Sequence, residues 1–246
     1  MESCSLETIE EAFMAGGRKR VMDIHDRLSE LEKLLRAGSI EHRRRALDEL
    51  SQMPSESVIP LLEKLSQSKN FQIRRVAVMG LGNHHTAQAF QALKEVIARE
   101  KDANVLAEAA NSLFEFGEES IPLLQDLFMQ QPLWLTRQTI LAILMEANCP
   151  EVLLSVVRCG LEDPTQTVKE TAILALGPLM NGPFETEALE ILTPLTSSGN
   201  WRDRWRAATT LTLSSSPETQ KLLANLLQDP NHYVVAAALE GSISDT

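Results

Sequence analysis

The sequence predicts an all-α fold, a solenoid of about six to seven short helix pairs, on three observations. A small residue recurs at a near-constant interval, apolar residues around it keep three-and-four spacing, and no stretch sustains the two-residue alternation of a half-buried strand. In "FQIRRVAVMGLG", residues 71–82, Ile73, Ala77 and Leu81 stand four apart, with an arginine pair between the first two. "QTVKETAILALG", residues 166–177, repeats the spacing with Val168, Ala172 and Leu176, and "DRWRAATTL" keeps Arg204, Ala207 and Leu211. Taking the small residue as an anchor gives Ala46, Ala77, Ala109, Thr139, Ala172, Ala207 and Ala238, separated by 31, 32, 30, 33, 35 and 31 residues. An array of this kind grows by adding units and counts as one domain at 246 residues.

Along the chain, residues 1–28 are expected to form an acidic N-terminal helix and a basic "GGRKR" linker or cap, and residues 29–246 the repeat array. The first helix of each repeat is carried by "IPLLEKL" (59–65), "AFQALKEVIA" (89–98), "IPLLQDLF" (121–128), "EVLLSVVRCGL" (151–161), "EALEILTPL" (187–195) and "ETQKLLANLL" (218–227). Short polar turns follow, holding Asn70, Asp102, Asp163, Asn200 and Asp229, residue types that accept hydrogen bonds from the free N–H groups of the next helix. That second helix carries the anchor, whose minimal side chain lets two helices approach closely.

Composition narrows the function. Aromatic content is 4%, so the core is expected to consist of Leu, Ala, Ile and Val. The start, "MESCSLETIEE", lacks the basic and apolar regions of a signal peptide, and no apolar run reaches membrane-spanning length, which predicts a cytoplasmic protein with no membrane span. A formal charge of -11 opposes general nucleic-acid binding, which needs a basic footprint to displace phosphate counterions. Three cysteines without regular spacing argue against a disulfide framework. Cys149 and Cys159 are expected at opposite ends of one helix, about 15 Å apart at ~1.5 Å per residue, too far to share an ion. Cys4 reads as a free thiol. His84 and His85 read as a solvated turn without a third ligand, and no metal site or catalytic set is visible.

The pattern of Asp or Asn, a branched aliphatic, Arg, two free positions, Ala and Leu is carried almost whole by "NFQIRRVAVMGL" and "DPTQTVKETAILAL", and by "NWRDRWRAATTL" with Asp203 in the aliphatic slot. It resembles HEAT repeats, in the short form found in E/F-type phycobilin lyases and the related phycobilisome-degradation factors of cyanobacteria, over about residues 30–242. The resemblance implies a right-handed superhelix with the second helices on its concave side, and a role in attaching, escorting or turning over bilins on phycobiliproteins. It implies a phycobiliprotein or other helical protein as partner and a phycocyanobilin-like bilin as candidate ligand. HEAT arrays serve unrelated functions, so the resemblance alone does not decide between them.

At about 100° per residue, the positions two before and two after each anchor point away from the packed face. Two before stand Arg44, Arg75, Ala107, Arg137, Glu170, Trp205 and Ala236; two after stand Asp48, Met79, Asn111, Leu141, Leu174, Thr209 and Glu240. The expected binding wall is Arg44, Arg75, Arg137 and Trp205 beside the apolar Met79, Leu141 and Leu174. Arginine, tryptophan and an apolar strip together suit either a protein hot spot or an anionic, conjugated bilin. A plainer reading makes the three arginines ordinary solvated side chains. Arg43, Arg74, Lys169 and Arg204, three before the anchors, read as a ladder to the capping residues of neighbouring repeats. Of Trp201 and Trp205, one is expected to pack inward, leaving Trp205 exposed, and Trp134 reads as a packing residue.

Three function classes follow: a binding scaffold for phycobiliproteins or their chromophore, a bilin lyase whose chemistry rests on the substrate's own cysteine, and a partner of an iron-sulfur cluster carrier using Cys4, Cys149 or Cys159.

Overall fold

A computed structural model of the chain describes residues 23–243. Among the described residues there are fourteen α-helices and no strand. They are α1 (Ile24–Ala37), α2 (Ile40–Leu50), α3 (Ser55–Leu65), α4 (Phe71–Gly82), α5 (Ala87–Arg99), α6 (Ala103–Phe114), α7 (Ile121–Gln130), α8 (Trp134–Glu146), α9 (Pro150–Leu161), α10 (Gln166–Leu174), α11 (Glu185–Leu195), α12 (Trp201–Leu211), α13 (Pro217–Leu226) and α14 (His232–Ile243). The leading helix, the "GGRKR" linker and Cys4 lie outside the described residues.

Two compact units divide the chain, residues 1–53 and 54–246. In the first, α1 and α2 form one antiparallel pair around Leu31, Leu35, Ala46, Leu47 and Leu50, all buried. Arg27 on α1 bonds Glu49 on α2 with two guanidinium donors, which holds the Glu49 carboxyl below its ordinary range. Arg43 does not reach a capping acid here; its guanidinium donates 3.4 Å to the Arg36 carbonyl.

The second unit is a solenoid of six pairs, α3–α4 to α13–α14, in which each second helix packs on the second helices before and after it. Sequence dictates each pair through an apolar stripe, and α4, α6 and α12 also through a side-chain cap. In α4, Asn70 accepts from the Gln72 N–H at 2.9 Å, while Ile73, Ala77, Val78 and Leu81 bury one face. Asp102 caps α6 and Asn200 caps α12 as expected. Asp163 and Asp229 do not cap directly. Thr165 and Asn231 precede those helices, and each aspartate, two residues earlier, accepts the N–H of that turn residue at 2.7 and 2.8 Å. The second helices approach closely where Gly82 of α4 meets Ser112 of α6, whose hydroxyl donates to the Val78 carbonyl at 3.1 Å. A Cβ on Gly82 would stand 2.8 Å from the Ser112 Cβ, so only glycine fits this crossing.

The anchors Ala46, Ala77, Ala109, Ala172, Ala207 and Ala238 are each at most 1% exposed. Thr139 is the exception, half-buried beside a fully buried Ile140. The fourth anchor is therefore Ile140, and the intervals become 31, 32, 31, 32, 35 and 31 residues. The small-residue rule failed in this repeat because α8 carries a large side chain at the crossing, and Thr139 was merely the nearest small one.

Candidate functional site

The one-residue correction turns α8 by about 100° and changes what its side chains do. Arg137 now stands three before its anchor, like Arg74 and Arg204, and all three have the same surroundings. Each donates to a carbonyl in the turn of its own repeat, from Arg74 to Ser68 at 3.0 Å, Arg137 to Gln131 at 2.6 Å and Arg204 to Ser198 at 2.8 Å. Each also bonds an acid in the next repeat, Glu100 at 2.7 Å, Asp163 at 2.5 Å and Asp229 at 2.6 Å. For Asp229, the Arg204 hydrogen bonds hold the carboxyl below its usual range against the opposing pull of burial. Burial pushes Asp163 and Glu100 up, but bonds from Arg137 and Arg74 and from backbone N–H groups outweigh it and keep both low.

These clamps alternate. They join pair α3–α4 to α5–α6, α7–α8 to α9–α10, and α11–α12 to α13–α14, so the array is built of two-repeat modules. Between modules the ladder positions are Leu106 and Lys169, and Lys169 makes no ion pair among the described residues. At the second of these junctions the Thr210 hydroxyl donates to the Ile173 carbonyl at 3.1 Å. Gln166 donates to the buried Asp203 carboxylate at 3.0 Å there, which explains an acid in an aliphatic slot. At the first junction, Thr136 reaches the Ala103 carbonyl at only 3.5 Å.

Of the expected wall, Arg137 is thus a structural clamp and Leu141 is fully buried; neither faces solvent. Arg44, in the first unit, has 83% of its side chain exposed and stands 3.9 Å from Asp48. Arg75 is half exposed and donates 2.8 Å to Glu108 on α6. Met79 is exposed and Leu174 half-buried. With the corrected anchor, Gln138 and Ala142 take the outward positions on α8. They line an open groove of about 500 Å³ with Asn111, Phe114, Ile143 and Glu146, across the second helices α6, α8 and α10. Trp134 is a further correction: it opens α8 and is 49% exposed, because the chain turns at Pro132 before the apolar stripe begins.

Trp205 does not stand alone. Trp201, one turn earlier on α12, and Tyr233, at the start of α14, form a triangle with it, ring centroids 6.1, 5.6 and 6.1 Å apart. Both tryptophans are half-buried and Tyr233 is 51% exposed, so neither indole packs wholly inward. Basic groups flank every ring. The Arg202 guanidinium lies 4.8 Å from the Trp201 centroid, that of Arg206 3.9 Å from Trp205, and the His232 ring 4.1 Å from Tyr233. Arg206 also donates to Glu170 on α10 at 3.2 Å. The residues missed in sequence were Trp201, Arg202, Arg206 and Tyr233. For the two tryptophans the signal was their four-residue step, which places both on one helical face, whereas nothing local pointed to Tyr233.

His84 also departs from expectation. It is 4% exposed, its Nδ1 lies 3.0 Å from the Ser55 hydroxyl, and its Nε2 is buried without a partner among the described residues. Burial first, and the charge of His85 second, push its pKa down. Only His85 is solvated, its ring edge-on to Phe116 at 5.7 Å. Cys149 precedes α9 and Cys159 sits in its last turn, so the two thiols occupy opposite ends of that helix; both are half-buried, and burial raises the Cys149 pKa. No described helix is long and apolar enough to cross a membrane.

The family described as HEAT repeats matches residues 28–114, 61–145 and 154–243. No curated protein matches the chain in sequence. Among solved structures, the Escherichia coli protein YibA is similar over 98% of this chain and 86% of its own, with 15% identity and a TM-score of 0.62. Kap121p bound to Pho4p is similar over 87% of this chain, with 16% identity and a TM-score of 0.59, and the chain spans 29% of that protein. The CpcE–CpcF complex of phycocyanin lyase from Nostoc shares 18% identity over 89% of this chain and 88% of its own, with a TM-score of 0.45.

Proposed function

Because the chain belongs to the HEAT-repeat family, we infer that it is a cytoplasmic binding scaffold, gripping a protein partner on the face formed by its second helices. The observation that carries this reading is the Trp201–Trp205–Tyr233 triangle. In a chain with 4% aromatic residues, three large rings share one partly exposed patch flanked by arginines. Aromatic and arginine side chains are the residue types in which binding energy concentrates, and leaving such a patch wet forgoes their burial. The groove across α6, α8 and α10 extends the same face toward the middle of the array.

The repeat pattern's resemblance to E/F-type phycobilin lyases extends the proposal to a finer one, in which the partner is a phycobiliprotein and the ligand its bilin. A conjugated bilin would lie against the rings and its propionates would meet Arg202. Two titrations test the readings: phycocyanin followed by calorimetry, and phycocyanobilin followed by visible absorbance. A Trp205→Ala loss of about 2 kcal/mol, roughly thirtyfold, in phycocyanin affinity is expected if the triangle is the hot spot, with Lys221→Glu on α13 as a control. Absence of any spectral shift would remove the bilin. Equal losses in the two variants would remove the second-helix face.

A further inference from the structure

The geometry points to an acidic peptide segment, a carboxylate next to an aromatic side chain, as what docks on the Trp201–Trp205–Tyr233 triangle. This rests on the scaffold reading and adds the partner's chemistry. Three observations carry it. Arg202 has half its side chain exposed and makes no side-chain hydrogen bond among the described residues; its nearest acid, Glu170, whose other oxygen is taken by Arg206, stands 3.8 Å away, an ion pair beyond hydrogen-bond length. Its planar fork of N–H donors is therefore unspent, which is the arrangement that takes a carboxylate with two parallel bonds. Next, neither indole N–H nor the Tyr233 hydroxyl bonds to any other described residue, so three more donors can point at an acceptor-rich ligand. Last, the charge is locally reversed. Arg202 and Arg206 face one acid, Glu170, and His232 is exposed beside them, in a chain whose formal charge is -11. An acidic segment is repelled by the chain as a whole and accepted at this patch, which gives both specificity and a defined register.

The ring geometry sets the rest of the ligand. The arginines lie over the indoles and Trp201 stacks on Tyr233, leaving ring edges for contact, a surface that suits an edge-to-face aromatic partner. The adjacent N-terminal ends of α12 and α14, from which Trp201 and Tyr233 project, add their positive dipole ends to the same field. A basic or purely apolar segment would leave the Arg202 guanidinium desolvated without a partner.

The experiment uses the full chain labelled with ¹⁵N and three acetylated, amidated ten-residue peptides, alternating Asp–Phe, Lys–Phe and Asp–Gly. The chain has three tryptophans, so its spectrum carries three indole N–H signals. The Asp–Phe peptide is expected to shift those of Trp201 and Trp205 and leave that of Trp134 in place, with affinity at least tenfold above the other two. Arg202→Gln should weaken it about tenfold and Arg202→Glu further, with amide spectra otherwise retained; Lys221→Glu should not weaken it. If the Lys–Phe peptide binds equally well, or if Arg202→Gln leaves affinity unchanged, the acidic preference is wrong while the scaffold reading survives on its phycocyanin titration. If no peptide moves the two signals, the inference is overturned.

Discussion

Replacing Arg137 by methionine tests the clamp that joins α7–α8 to α9–α10. Methionine keeps most of the volume against Phe128, whose ring centroid lies 5.3 Å from the guanidinium, so the change is chiefly electrostatic. The Asp163 side chain is 2% exposed and that of Arg137 16%, so removal leaves a carboxylate in the interior held by Thr165 alone, through its N–H at 2.7 Å and its side chain. Breaking one side of a buried pair costs about 3 to 5 kcal/mol, and the surviving N–H bond places the expected loss near the lower end, about 3 kcal/mol. The half-exposed Arg75–Glu108 pair is the control, and Arg75→Met should cost no more than about 1 kcal/mol. Urea melts give the size of each loss. Amide hydrogen exchange gives the place, with protection falling in α8 to α10 and holding in α4, since repeat arrays open locally. The pH dependence follows from the lowered Asp163 pKa. Its contribution is present above the ordinary aspartate value of 3.8 and is lost as pH falls through the lower folded value, so the gap between parent and variant should narrow below about pH 4. Arg137→Met/Asp163→Asn should cost less than the two single changes added together. An Arg137→Met loss no larger than that of Arg75→Met would refute the clamp.

Ala172→Leu should cost about 1 to 3 kcal/mol by overpacking, because the Ala172 Cβ would stand only 2.9 Å from a Cβ at Gly160 on α9. A thermal melt unchanged from the parent would show the anchor to be misplaced. His84 should make the second unit less stable as pH drops from 7 to 5. The folded chain resists protonating a histidine whose pKa lies below the ordinary 6.5, while the unfolded chain takes the proton freely. His84→Gln should flatten that slope, and a slope unchanged by it would assign the pH dependence elsewhere.

The sequence by itself determined the repeat, because its cause is local and periodic. Six of the seven anchors are small side chains, each stripe has an apolar residue every third or fourth position, and several turns hold a capping group, and Ala77, Ile73 and Asn70 declare all three within eight residues. It also determined the ladder at Arg74 and Arg204, though not at Arg43 or Lys169, whose anchors were right but which pair with no capping acid among the described residues. Tertiary structure alone decided the rest. A helical residue turns about 100° from its neighbour, so naming Thr139 instead of Ile140 as anchor placed Arg137 and Leu141 on the solvent face when one is clamped to Asp163 and the other buried. No local rule identifies that slip, since a crossing accepts a large residue when the facing repeat leaves room for it. The burial of His84 against Ser55, 29 positions away, was likewise invisible. So was the triangle of Trp201, Trp205 and Tyr233, because its third ring comes from the next repeat and only the stacking of α14 on α12 brings it within 6.1 Å of both indoles.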